Sequence, residues 1–266
     1  MSDIKSKIEQ LFANGTVDLF IGYEAGRNGI GKPAFFTSAK SLDKLIYDEL
    51  CIVNLSVYLR KNELNKFNNI GLLANIGTLQ ALLQLAAENQ VKDGQYIIST
   101  VKDGQFIEFS NLKSIEDYLI ANPPQRSPER MARMQELDAM PREEKWDYWT
   151  RELSACVKCY ACRSACPLCY CEQCAVECNQ PQWVSVPSSG LGNFEWHVMR
   201  AMHLAGRCIG CGECEAACPM EIPISFLTQK LNIDIAKTFG QVPGMKADAE
   251  YALSSFKVDD KENFIR

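Results

Sequence analysis

Histidine is the residue this chain has least of, two in 266 positions, His197 and His203. So small a stock leaves little for a catalytic apparatus built on imidazole bases, and no Ser-His-Asp, paired-carboxylate or base–nucleophile set emerges elsewhere. Long apolar runs are missing too. The N-terminus, MSDIKSKIEQ, is polar and amphipathic and lacks the apolar core of a signal peptide. No later stretch reaches the roughly 18 uninterrupted apolar residues of a membrane span. Basic blocks are also absent, because the formal net charge of −5 is spread along the chain. That distribution argues against nucleic acid or an anionic membrane as partner. The expectation is a cytoplasmic chain, 47% hydrophobic and long enough for two modest domains with cores of their own.

What the chain has in excess is cysteine, 13 residues, of which 12 lie between Cys156 and Cys218. Disulfide frameworks scatter cysteines to staple distant loops, whereas metal sites need short fixed spacings, so this clustering points to metal. Cys51 stands apart in the apolar, helical-looking stretch DELCIVNLSVYL and reads as a small buried hydrophobe.

Cys156, Cys159, Cys162 and Cys166 follow C-x2-C-x2-C-x3-C and are followed by Pro167; the pattern recurs at Cys208, Cys211, Cys214 and Cys218 before Pro219. This is the bacterial-ferredoxin signature written twice. Three thiolates at two-residue intervals wrap one cubane, and the fourth reaches the other cluster. One 4Fe-4S cluster is therefore expected on Cys156, Cys159, Cys162 and Cys218, and a second on Cys208, Cys211, Cys214 and Cys166. Zinc sites also use C-x2-C pairs but lack the third cysteine and the proline at these offsets. Gly210 and Gly212 bring the second loop's backbone close to the sulfurs, while the first carries Lys158, Tyr160 and Arg163, so the two potentials are expected to differ.

The intervening insert, residues 167–207, opens with Cys169, Cys171, Cys174 and Cys178 in C-x-C-x2-C-x3-C. Four thiolates suffice for a third 4Fe-4S cluster; a zinc site, a less regular cluster or unliganded thiols are the alternatives. Farther on, Pro181, Pro187 and SSGLG predict a loop, and Phe194, Val198, Met199, Met202 and Ala205 predict a helix running into Cys208. His197 and His203 lie six apart on it, not on one face, and read as polar residues of a packed helix.

Residues 1–120 differ in character. Val17–Tyr23, Ile70–Ala74 and Gln95–Thr100 read as strands, Ser41–Arg60 and Thr78–Asn89 as helices, which together predict a small α/β layer. VKDGQYI and VKDGQFI, ten residues apart, place Asp-Gly turns on either side of a strand. GRNGIGKP matches G-x4-G-K, but Pro33 follows Lys32 where a phosphate loop needs Ser or Thr, so it reads as a glycine-rich turn. ANPPQRSP predicts a linker, followed by the helical segments ERMARMQELDAM and REEKWDYWTRELS; the second brings Trp146 and Trp149 up to the clusters as shields. MEIPISFLTQKLNIDIAKTFG predicts a helix packing back on the cysteine loops. The organisation expected is α+β: a 1–120 scaffold or docking domain, a 121–150 linker with helices, a ferredoxin-like dicluster domain at 151–240 with the cysteine-rich insert, and a 241–266 tail.

WDYWTRELSACVKCYACRSACPLCYCEQC, the PQW at 181–183 and MRAMHLAGRCIGCGECEAACPM together resemble the iron-sulfur beta subunits of formate dehydrogenases and deazaflavin-reducing hydrogenases. The likeness covers residues 142–240 and reaches more weakly to VDLFIGYEAG and to Asn54, Leu55 and Tyr58. It implies an electron-transfer subunit working between a catalytic metal or flavin subunit and an acceptor, in the company of heterodisulfide-reductase-type flavoproteins in anaerobes. The family commonly carries a Lys-Gly-Cys-Asp-type motif after an N-terminal strand. GLLANIGTLQALLQL has neither that lysine nor that cysteine, which disfavours flavin chemistry there and favours docking. A flavin-containing reductase and a cluster-bearing redox sensor are the alternatives of other classes.

Overall fold

A computed structural model describes residues 2–174, 176 and 184–252. Strands β1 (Leu19–Ala25), β2 (Gly31–Phe36), β3 (Leu45–Ile46), β4 (Ile70–Leu73), β5 (Ile97–Lys102) and β6 (Gln105–Phe109) form one sheet. Its order is β2-β1-β4-β5-β6. The central β1, β4 and β5 are parallel, while β2 and β6 are antiparallel edges and β3 pairs with β1 at Tyr23 and Glu24. Parallel strands need a covered crossover. Helix α2 (Ile76–Ala87) supplies it, with Asn75 capping the Thr78 N–H at 2.8 Å.

Side-chain alternation along β1 sets the layers. Leu19, Ile21 and Tyr23 join Leu72, α2 and α3 (Leu112–Ala121) in the main core, while Phe20 faces Ile4 and Ile8 of α1 (Ser2–Ala13) in a smaller one. Every residue from Thr78 to Leu85 is buried. A helix enclosed all round must be covered on its far side as well. Leu168 and Leu204 of the cysteine-rich part provide that cover by joining the same core. The proline-rich stretch thus separates two regions in sequence that share one core in space.

The two Asp-Gly echoes behave as expected: Asp103 and Gly104, both at positive φ, close the β5–β6 hairpin, and Gly94 turns the chain into β5. Lys32 lies in strand β2 rather than at the start of a helix, paired to Glu24 at 2.9 Å, so the glycine-rich stretch turns at Arg27–Gly29 and runs straight into β2. The helix expected over 41–60 is not there. Residues 39–44 and 55–58 are 3₁₀ turns around β3. Side chains capture the backbone instead of an i→i−4 ladder: Asn75 Nδ2 donates to the Cys51 carbonyl at 2.9 Å, and Asp48 accepts from the Leu50 N–H at 2.9 Å. Cys51 is buried, and burial pushes its thiol up to about 11.

Among the described residues past 127 the regular elements are helices: α4 (Pro128–Ala139), α5 (Arg142–Ser154), α6 (Ala161–Ser164), α7 (Gly190–His203), α8 (Glu213–Ala216) and α9 (Ser225–Phe239). Ser127 caps α4 with Pro128 in its first turn, and Ser189 caps α7. Among the described residues no helix is long and apolar enough to cross a membrane.

Candidate metal-cluster site

Helix α5 ends just before Cys156, and α7 ends just before Cys208. From there the chain repeats itself 52 residues later. Lys158 and Tyr160 lie in the left-handed region at φ 51° and 57°, and the equivalent Gly210 and Gly212 lie at 74° and 81°. Each loop then closes in a single helical turn, α6 or α8, and those two turns pack against each other. The second loop takes this conformation with glycine, which suffers no Cβ clash there. The first takes it with side chains that are both engaged. Lys158 Nζ donates to the Ser185 carbonyl, and the Tyr160 ring meets Trp196 edge-on at 5.5 Å between centroids.

Cys156, Cys159, Cys162 and Cys218 line one cavity, with Trp196, His197, Ile222 and Ile224 as its apolar and aromatic walls. Cys218, from the second loop, thus stands among the first loop's thiols. Cys166 and Cys208 pack together against the core under α2, where Gly77 approaches Cys211, a Cβ on Gly77 lying 3.6 Å from the Cys211 Cβ. Burial pushes the Cys162 thiol up to about 11 and the Cys211 and Cys214 thiols up to about 12. Metal coordination needs thiolates, so binding there must displace protons. Among the described residues no group of three or more His, Cys, Asp or Glu side chains could hold a single metal ion. The four thiols of the first cavity enclose a space and do not converge on a point.

The two loops are held by different parts of the molecule. The Cys156 carbonyl accepts from Asn193 Nδ2 at 2.7 Å and from the Ser188 hydroxyl at 2.6 Å, both supplied by the insert. On the second loop, Glu213 accepts the Asn54 N–H at 3.2 Å, and Asn232 of α9 donates to the Cys208 carbonyl. Arg207 pairs with Glu88 at the end of α2, and Glu88 also accepts from Tyr170 at 2.6 Å. Burial raises the Glu213 carboxyl to about 7.

Of the insert cysteines, Cys169, Cys171 and Cys174 line a cavity of about 1040 Å³ that also meets Arg200 and Arg207. The Cys169 thiol lies against Cys166 and Arg200. Cys178 and the PQW stretch lie outside the described residues. Trp149 packs on the first loop beside Cys156 and Leu153, as expected of a shield, whereas Trp146 is 58% exposed and rests on Phe194. Trp196 takes the shielding place instead. His203 is exposed and His197 buried, its ring driven down to about 4 by burial and by the charges of Arg200 and Lys158, hence neutral. Arg200, buried among the thiols, did not stand out in MRAMH, because an arginine at helical spacing reads as a solvated residue until its neighbours are known.

Four thiols around one space, with buried nitrogens of His197 and Arg200 lacking partners beside them, fit a group rich in anionic sulfur. A family model described as a 4Fe-4S dicluster domain matches residues 169–223. The match begins at the insert cysteines, after the first loop, although the loop whose backbone repeats 208–219 is 156–167. The beta subunit of the F420-dependent formate dehydrogenase of Methanocaldococcus jannaschii is 38% identical over 107 residues, 40% of this chain and 26% of that protein. The beta subunit of the F420-dependent formate dehydrogenase 1 of Methanococcus maripaludis is 36% identical over 114 residues, 42% of this chain and 29% of that protein. The matches thus span between a quarter and a third of those relatives' lengths.

Proposed function

We propose that this chain, related to iron-sulfur beta subunits and bearing a 4Fe-4S dicluster domain, relays electrons between a catalytic subunit and a flavoprotein or ferredoxin-type acceptor in an oxidoreductase complex. The observation that carries the reading is the cavity in which Cys218 joins Cys156, Cys159 and Cys162, the exchange of fourth ligands that a two-cluster ferredoxin makes. In this reading Cys166 completes the second set with Cys208, Cys211 and Cys214. A bound cluster supplies one-electron storage without bond chemistry. The chain's part is to hold the thiolates in two fixed loops, exclude water with Trp149, Trp196, Ile222 and Ile224, and present neutral or cationic N–H groups to the sulfurs.

Cys169, Cys171, Cys174 and Cys178 are assigned to a third cluster on the same chain. Support comes from the cavity the first three share. Flavin has no place in this reading. The stretch where the family's Lys-Gly-Cys-Asp motif would fall is β4 and the enclosed α2, which covers the second loop and leaves the α/β part as a brace.

Iron and sulfide analysis of anaerobically purified protein tests the reading: two cubanes predict about eight irons per chain and three about twelve. A value near eight with one zinc removes the third cluster, and a value near zero after reconstitution removes the function. Co-purification from an anaerobic host identifies the donor and acceptor subunits.

A further inference from the structure

Among the described residues, every buried side-chain nitrogen or oxygen without a hydrogen-bond partner belongs to α7: Asn193 Oδ1, Trp196 Nε1, both ring nitrogens of His197, and Nε and Nη1 of Arg200. Positions 193, 196, 197 and 200 follow i, i+3, i+4, i+7, so these four residues form one stripe of the helix. Orphaned polar atoms in a finished core are rare, and the run of nitrogens at 196, 197 and 200 implies an acceptor that is not protein. The stripe faces the cysteines. Trp196 and His197 line the cavity of Cys156, Cys159, Cys162 and Cys218.

Arg200 sits where the sets meet. It is 5% exposed, and its Nη2 donates to the Cys162 carbonyl at 3.0 Å, which fixes the plane of the guanidinium. It lines the cavity of the insert cysteines, and its guanidinium is within electrostatic reach of the sulfurs of Cys169, Cys166, Cys214 and Cys162. Cys162 belongs to the first proposed cluster, Cys166 and Cys214 to the second, and Cys169 to the insert. The cations of the first loop are spent elsewhere, Lys158 on the Ser185 carbonyl and Arg163 on the Cys171 carbonyl at 3.3 Å.

We infer that Arg200 sets the potentials of both ferredoxin-type clusters at once, its Nε and Nη1 donating to cluster sulfur and its fixed charge lying between the two centres. The inference rests on the two-cluster reading above. Each cluster gains one negative charge on reduction, with no bond made or broken. A buried cation beside it favours the reduced form far more than an exposed one would. Arginine suits the place better than lysine because its planar fork donates in several directions while keeping its charge. His197 lines the first cavity alone and is a donor for one cluster only.

The test is potentiometric titration followed by electron paramagnetic resonance on the full chain, purified anaerobically and loaded, with iron content measured on each sample. Arg200→Met should keep its iron and make both clusters at least tenfold harder to reduce, a fall of 59 mV or more for a one-electron couple. Arg200→Lys should recover part of that shift, and His197→Phe should move one cluster by less than tenfold and leave the other. An Arg200→Met protein with full iron and either potential within threefold of the wild type overturns the inference. If Arg200→Met loses iron, the lysine variant decides. Iron regained with potentials within tenfold of the wild type upholds the charge role, and a lysine variant equally empty overturns it in favour of packing. Wild-type protein that takes up no iron removes the electron-transfer reading and this inference with it; loaded wild type with unmoved variants removes this inference alone.

Discussion

The loops at 156–167 and 208–219 have one backbone and two kinds of sequence. Where the second uses Gly210 and Gly212, the first forces Lys158 and Tyr160 into the left-handed region, at about 1–2 kcal/mol each. Such strain persists only where the surroundings over-determine it. Here the restraint is the Lys158 bond to Ser185 and the Tyr160–Trp196 contact, both reaching into the insert. The second loop lacks such side chains and is gripped from outside, by Asn54 and Glu88 of the α/β part and Asn232 of α9. One conformation is thus held by two unrelated sets of contacts, so the means of holding it is free to vary.

The severest break of the comparison is at the equivalent cysteines. Cys162→Ser and Cys214→Ser should each lose about four irons per chain by colorimetric iron assay. Retention of full iron by either would mean the repeat does not mark two cluster sites. Next come the two grips. Glu88→Ala removes the carboxylate shared by Arg207 and Tyr170, leaves Arg207 only the His203 and Leu168 carbonyls, and should lower stability by about 3 kcal/mol in denaturant titration of the loaded protein. Asn193→Ala, which leaves the Cys156 carbonyl short of a donor, should cost about 1–3 kcal/mol. Amide exchange should quicken around 208–219 in the first variant and around 156–167 in the second; the same pattern in both would erase the distinction drawn between the grips.

Smaller effects probe the backbone. At Gly212 a Cβ meets nothing within 4 Å, so Gly212→Ala isolates the conformational cost, about 1–2 kcal/mol or a melting point lower by a few degrees. Lys158→Gly, which relieves the same strain but gives up the Ser185 bond, should change stability by less than about 1 kcal/mol. The smallest effect on the metal is expected at the thirteenth cysteine. Cys51→Ala should cost about 1–2 kcal/mol of packing and leave the iron count untouched.

Much of the α/β part was legible because periodicity and turn chemistry agree with the fold at β1, β4, β5, α2 and both Asp-Gly turns. The stretch 41–60 was not. Its apolar spacing resembles a helix, but β3 pairing and the side chains of Asp48 and Asn75 compete successfully for its backbone. Among the shields, Trp149 was legible and Trp146 was not, since adjacent turns of one helix give no sign of which face meets the loop.

The two cysteine loops are readable from the amino-acid order alone, because cysteine spacing, the proline after each and the need for a tight turn are local properties that a linear pattern records. Cys51, read there as a small buried hydrophobe, is indeed buried. The fold had to show that the α/β part and the cysteine-rich part share a core, and that α7 turns His197 and Arg200 toward the sulfurs. Those depend on packing between segments tens of residues apart, where burial converts a charged side chain from a solvated surface group into a fixed element of the field around the thiols.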